Sequence, residues 1–338
     1  MDERRHVFEI EVAAGPEAVW RALTDPDLTE RYYFSCRLET TLMPGAPFRY
    51  GAAVEGTLLA VEPPRRLEMS ARYLFDPRAA AEPPHREAWA VEPLDGGRCR
   101  VRLLCDGYDG ETTSYRMAPT GLPAMLRGLK NVLEPDRLPP RKERVDEIVV
   151  RELTPELRAD YLRFFDEDAF RDNPAWAACY CTEMHHGSDD VRGAEANRSY
   201  AEQLIRARRM RGFLAYADGR VVGWCNAAPR AALVGLARRP SLAVEDAERV
   251  GAITCFVVAA PYRRHGVARA LLQAALAGFA EQGLAFAEAY PLKEPSTDAA
   301  AYPGPLSLYL AAGFEPYREA GGSVIVRKAL ARPGPDQP

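Results

Sequence analysis

What the 338 residues lack narrows the chain before any motif is read. No stretch reaches the roughly 18 apolar residues of a membrane-spanning helix. The best candidate, 267–280, is broken by Arg269 and Gln273. The first five residues, Met1-Asp2-Glu3-Arg4-Arg5, carry none of the apolar core of a secretory leader. A basic excess is missing too. The formal net charge is −4, which argues against a broad nucleic-acid surface. The seven cysteines follow no framework spacing and are odd in number, so reduced thiols in a cytoplasmic protein are expected. There is no internal repeat. Ala, Arg, Pro and Gly are plentiful, as in proteins from GC-rich bacterial genomes. Hydrophobic residues make up 47%, enough for ordinary packed cores, and the length favours two domains.

The division falls at 135–146, where three prolines and seven charged residues read as a linker. Residues 1–134 and 147–330 are then the two domains, and 331–338, with three more prolines, is a frayed tail. In the first domain 7–12 alternates apolar and charged residues, as a half-buried strand does. Pro16 opens a short helix with Val19, Trp20 and Leu23 on its apolar face, ended by Asp25-Pro26. Strands are expected at 36–41, 47–50, 54–61, 66–75, 85–93 and 98–105, with Asp95-Gly96-Gly97 as a hairpin turn. Leu122, Met125, Leu126, Leu129, Val132 and Leu133 share one face of a closing helix, 122–134.

Four stretches of this domain carry a family likeness: 18–26, Met43-Pro44-Gly45, 56–67 and 126–134. They resemble the START-like (SRPBCC) superfamily, in its branch of activators of the heat-shock-protein-90 ATPase. The resemblance covers about 5–134. It implies a helix-grip fold, an antiparallel sheet around a long C-terminal helix, with a cavity for an apolar ligand. It implies no reaction, because function lives in sites grafted onto folds. His85 reads as a strand surface residue.

The second domain holds the stretch that points to chemistry. Residues 251–258 form an apolar, β-branched run typical of a buried strand. A turn follows, then Arg263-Arg264-His265-Gly266-Val267-Ala268-Arg269. Leu271, Leu272, Ala275, Leu276 and Phe279 mark a helix that Gly283 closes. The pattern Arg-x-x-Gly-x-Ala arises by chance roughly 0.4 times in such a chain, so its position has to carry it. It lies where a strand ends and a helix begins. Backbone N–H groups and the helix dipole converge there, and a pyrophosphate fits. Gly266 lets it approach, Ala268 does not block it, and Arg263, Arg264 and Arg269 add charge.

This segment resembles the acyl-CoA-binding motif of the GNAT acetyltransferases, whose signature falls on Arg263, Gly266 and Ala268. The likeness extends to Phe256-Val257-Val258, where pantetheine amides would pair, and to 308–314, where Tyr309 would be the general acid to the CoA thiolate. It covers about 147–330. It implies a mixed α/β sheet in this order: strand 147–152, helices within 155–170 and 191–210, strands 212–217, 220–226 and 251–258, helix 266–282, strand 284–290, helix 304–312, strands 314–318 and 322–327. Acetyl-CoA would be the acyl donor, held by Phe256, Val257, Val258, Arg263, Arg264, His265, Gly266, Val267, Ala268 and Arg269. Many members carry an Asn early in the last helix, and 302–307 has none.

The implied reaction is direct attack of an amine on the thioester, with an N–H near Val257 or Val258 for the oxyanion. The base would be Glu288, an acid within an apolar strand; Glu245, Asp246 and Glu248 are alternatives. Cys179-Tyr180-Cys181 with His185-His186 lacks the usual ligand spacings of zinc, so no metal is expected. The stretch 176–186 reads instead as a loop on the substrate side, and Cys225 and Cys255 as core residues. Residues 229–249 would flank the amine. The expected protein is an N-acetyltransferase acting on a small-molecule amine, with a ligand-binding first domain and no nucleic-acid or membrane partner. The alternative is a non-catalytic acyl-CoA and apolar-ligand sensor, or a co-chaperone-like binding protein.

Overall fold

A computed structural model describes residues 4–138, 140–187, 193–293 and 301–330. The expected tail, 331–338, lies outside them. The chain is α+β and divides into two compact units: Met1–Leu138 with Asp172–Trp176, and Pro139–Arg171 with Ala177–Pro338.

The first unit runs β1 (His6–Val12), α1 (Pro16–Thr24), α2 (Pro26–Tyr32), β2 (Leu38–Thr40), β3 (Pro47–Tyr50), β4 (Val54–Glu62), β5 (Arg66–Tyr73), α3 (Pro77–Ala80), β6 (His85–Leu94), β7 (Arg98–Asp106) and α4 (Thr113–Leu133). The seven strands make one antiparallel sheet in the order β1-β7-β6-β5-β4-β3-β2. Period-two alternation puts Leu67, Met69, Trp89, Val91, Val101 and Leu103 on its inward face. They share one core with Leu122, Met125, Leu126 and Leu129 of α4.

Asp25 ends α1 as its C-cap, as expected. Its Oδ1 accepts from the N–H groups of Asp27 and Leu28, and it thereby also opens α2. The long helix begins at Thr113, nine residues before the expected start, and runs through Pro119 and Pro123. Pro119 has no N–H for the carbonyl of Tyr115, and His6 Nε2 donates to that carbonyl instead at 3.0 Å. His85 is not on the surface. It is 2% exposed on the inward face beside Glu87, which accepts from Tyr73 Oη at 2.7 Å. The interior of this unit is therefore partly polar.

The second unit runs β8 (Val149–Glu152), α5 (Arg158–Glu167), α6 (Ala194–Arg206), β9 (Gly212–Ala217), β10 (Arg220–Pro229), α7 (Val234–Ala237), β11 (Val250–Val258), α8 (Val267–Glu281), β12 (Phe286–Ala289), α9 (Leu306–Ala311), β13 (Glu315–Ala320) and β14 (Ser323–Ala329). Its sheet has the order β13-β14-β12-β11-β10-β9-β8. Every pairing is antiparallel except β11 with β12.

Small residues let α8 lie close on one face. A Cβ on Gly223 would come within 2.7 Å of Val267, and one on Gly251 within 2.4 Å of Phe279. The other face carries α5, where Trp224 meets Tyr161 edge to face at 5.0 Å. Among the described residues no helix is long and apolar enough to cross a membrane.

Candidate active site

The parallel pairing of β11 with β12 ends at Ile253 opposite Ala289. Beyond it β11 continues to Val258 against β10 alone, and a gap opens on its other side. The next pairs of β10 and β11 contain a bulge: Asn226 faces Cys255, Ala227 faces Ile253, and Thr254 is the extra residue. Ala259 N–H bonds the Val222 carbonyl, so by alternation the N–H groups of Phe256 and Val258 point away from β10 into the gap. Phe256 N–H donates to the Tyr302 carbonyl at 2.7 Å, so the segment before α9 reaches into the same gap.

At the end of β11 the chain turns through 259–266 into α8. Arg264 (φ 65°) and Gly266 (φ 84°) are both left-handed, and Gly266 is the residue before the first helical turn. The position needs glycine for its backbone rather than for space, since a Cβ there would meet nothing within 4 Å. The N–H groups of Val267, Ala268 and Arg269 head a helix of 15 residues and have no intrahelical acceptor. Arg264, Gly266 and Arg269 are exposed beside them. Arg263 Nε donates to the Val258 carbonyl at 3.1 Å and ties the loop back to the strand.

His265 is drawn in differently. Its Nε2 lies 2.9 Å from the Lys142 carbonyl, and Lys142 N–H donates to the Pro261 carbonyl. The Lys142 ammonium pairs with Asp218 and lies over the Tyr262 ring. Part of the segment read as a free linker is thus pinned to this loop. These donors and charges suit a pyrophosphate.

The two expected catalytic side chains are both buried and engaged. Glu288 is 0% exposed. Its Oε2 accepts from Arg327 at 2.7 and 3.1 Å, and its Oε1 from Tyr290 Oη at 2.7 Å and Arg230 at 3.4 Å. Arg327 also binds Asp246. Ala287 and Ala289 pack into the main core, so Glu288 faces the opposite side, beside Tyr290. The 229–249 insertion contributes Leu233, Leu236 and Leu242 to a small core there. Tyr309, also 0% exposed, donates to the Pro303 carbonyl and packs on Phe314 and Phe256. Burial pushes its hydroxyl well above the ordinary tyrosine value. Glu245 is not part of the Glu288 network, and Glu248 lies in a single helical turn at 247–249.

A second constellation joins the stretch 176–186 to Asn226, a link that went unread in the sequence. Tyr180 (φ 44°) and Cys181 (φ 50°) form a left-handed turn beside the bulge. Asn226 Nδ2 donates at 3.3 Å to Cys181 Sγ, at 3.3 Å to the Cys181 carbonyl and at 3.4 Å to His185 Nε2. Asn226 Oδ1 and Thr254 Oγ1 are buried and have no hydrogen-bond partner, while the Trp224 indole faces the Cys181 thiol. Burial pushes the Cys179 thiol up to about 12 and the Cys225 thiol well above its usual value. Cys181 alone is held below it, by the Cys255 thiol and then Asn226, against desolvation. The signal available in the sequence was an Asn inside an apolar strand. Among the described residues no three His, Cys, Asp or Glu side chains are arranged to hold a metal.

Comparisons with known proteins find two families, each along a different part of the chain. Residues 13–134 match the family described as activator of Hsp90 ATPase homolog 1-like protein, and residues 157–301 match the acetyltransferase (GNAT) family. The second match ends before α9 and Tyr309. No curated protein matches the chain. Similar solved structures include CalU16 from Micromonospora echinospora, at 22% identity, 40% of this chain, 78% of that one and a TM-score of 0.34. Protein MLL2253 from Mesorhizobium loti is similar at 25% identity, 40% of this chain, 100% of that one and a TM-score of 0.35. PFC0360w, an HSP90 activator from Plasmodium falciparum, is similar at 12% identity, 33% of this chain, 78% of that one and a TM-score of 0.29.

Proposed function

From a chain that carries an Hsp90-ATPase-activator-like domain and a GNAT acetyltransferase domain, we propose an enzyme that moves the acetyl group of acetyl-CoA to a primary amine of a small molecule. The observation that carries this reading is the left-handed turn at Gly266, which aims the head of α8 at one spot beside the gap along β11. The pyrophosphate belongs at Val267, Ala268 and Arg269 N–H, with Arg264 and Arg269 as counter-charges. The pantetheine belongs along Phe256, Val257 and Val258. Seating it there displaces the Tyr302 carbonyl from Phe256 N–H and frees the segment whose Pro303 carbonyl holds Tyr309. Tyr309 is then the group nearest to hand for protonating the departing thiolate. Glu288 has both oxygens engaged by arginines and Tyr290, which suits holding β12 to β14 better than accepting a proton.

The occupied gap is also the observation that favours a second reading, an acyl-CoA sensor without turnover. The first domain serves either reading as a ligand-binding unit. Its inward-facing Glu87 and His85 call for a ligand with a polar group rather than a wholly apolar one.

The test is calorimetric titration of acetyl-CoA into the wild type and Gly266→Glu, followed by CoA release with a panel of amines. Micromolar binding that disappears in a still-folded variant supports the donor site. Release with any amine supports the enzyme over the sensor. A wild type that binds no acetyl-CoA sinks both.

A further inference from the structure

Polar groups converge on one sulfur of the second unit, and neither the donor loop nor the packing of the core needs them there. Cys181 is 6% exposed, and Asn226 Nδ2 donates to its Sγ at 3.3 Å. The turn that presents it is left-handed at two successive non-glycine residues, a conformation that persists only where the surroundings enforce it. They do so here. Tyr161 Oη donates to the Tyr180 carbonyl at 2.8 Å, and Tyr180 Oη donates to Asp166 at 2.6 Å. Asn197 holds the Ala178 carbonyl, and Tyr200 Oη holds that of His185.

The neighbouring polar atoms point to a ligand. Asn226 Oδ1 is an orphaned acceptor, and Thr254 Oγ1 can donate or accept. Asn226 is 0% exposed and Thr254 is 4% exposed. Buried groups without partners are costly, so such a set asks for a bound molecule with a carbonyl and an N–H. Asn226 pairs with Cys255, two residues past Ile253, so Cys181 lies beside the point where β11 and β12 part. The carboxylate that direct attack would use, Glu288, is meanwhile tied to two arginines.

We propose that Cys181 is a nucleophile that takes the acyl group from the donor thioester and passes it to the amine. This rests on the acyl-CoA reading above. In the first half the Cys181 sulfur bonds to the acyl carbon and the bond from that carbon to the CoA sulfur breaks. The departing CoA takes a proton from Tyr309 and leaves as the thiol, and the proton given up by Cys181 restores that of Tyr309. In the second half the amine nitrogen bonds to the acyl carbon, the bond to Cys181 breaks, and a proton of the amine returns to the sulfur. One thioester is exchanged for another, and no oxidant or reductant is needed.

The full chain is mixed with acetyl-CoA without amine, quenched in acid and mapped by mass spectrometry. The same is done with the acetyl thioester of N-acetylcysteamine, which carries the thioester without the pyrophosphate. One acetyl group on Cys181, lost on treatment with hydroxylamine and on adding amine, is the expected result, together with one equivalent of CoA released. Cys181→Ala loses that label, keeps acetyl-CoA binding and falls at least about a hundredfold in turnover. Gly266→Glu loses the label from acetyl-CoA and keeps it from the small thioester.

Turnover with no label on Cys181, or full turnover in Cys181→Ala, overturns the proposal and leaves the acyltransferase reading standing. Label on Cys179 or Cys255 instead overturns the assignment. Label from the small thioester alone, with no acetyl-CoA binding, sinks the donor reading and keeps the nucleophile. No label and no turnover sink both.

Discussion

At His185, burial and then the charges of Arg209 and His186 act in one direction, bringing the imidazole down to about 4. Its Nε2 receives the amide of Asn226, which also requires the neutral ring. The consequence for stability has a definite sign. Above the ordinary value of 6.5 the ring is neutral in both states and contributes no pH dependence. As pH falls from 6.5 towards 4, the unfolded chain takes a proton that the folded one refuses, so stability is lost across that window. Urea unfolding of the second unit should show a loss on the order of 2 kcal/mol between pH 7 and pH 4.5, smaller in His185→Gln. An unchanged pH dependence in that variant would mean another group is responsible. Glu288 separates structure from chemistry in the same way. Glu288→Gln leaves Arg327 and Arg230 facing a neutral group, and the buried pairs predict a cost of about 3 kcal/mol. If Glu288 is instead the base, turnover collapses while the unfolding midpoint barely moves.

Among the elements, α4 shows where the sequence misleads. Its C-terminal half was legible because six apolar residues repeat at helical spacing. Its first turns were not, because Pro119 leaves the Tyr115 carbonyl without an intrahelical donor, and the group that satisfies it lies at His6, 109 residues away. His6→Phe keeps a ring against Tyr115 and removes the donor. It should cost about 1–2 kcal/mol and speed hydrogen exchange at the start of α4. No change in either would show that water replaces His6 at that carbonyl.

The donor loop was legible for the opposite reason. Strand, turn and helix are contiguous, so Arg263, Gly266 and Ala268 carry their geometry in their spacing. The cluster at Cys181 is assembled across 45 residues, through a bulge that no spacing announces. The engagement of Glu288 has the same origin, since Arg230 and Arg327 arrive from 58 and 39 residues away.

For the whole molecule, two sheets with separate cores and no shared strand imply two cooperative unfolding units rather than one. Acyl donor binds only the second, if the loop at Gly266 is its site. Mass action then raises the stability of that unit alone, by about 2.7 kcal/mol when acetyl-CoA is present at 100 times its dissociation constant. For a unit of this size that corresponds to a rise of roughly 5–10 °C in one transition. Scanning calorimetry of the intact chain should therefore resolve two transitions, with acetyl-CoA moving one and leaving the other in place. Gly266→Glu should abolish the shift, because its carboxylate stands where the helix head is aimed, and the strain of its positive φ should lower the same transition without ligand. If both transitions rise together with acetyl-CoA, the units are energetically coupled, and the first domain senses the state of the donor site. A single transition that moves as one would carry the same meaning in stronger form.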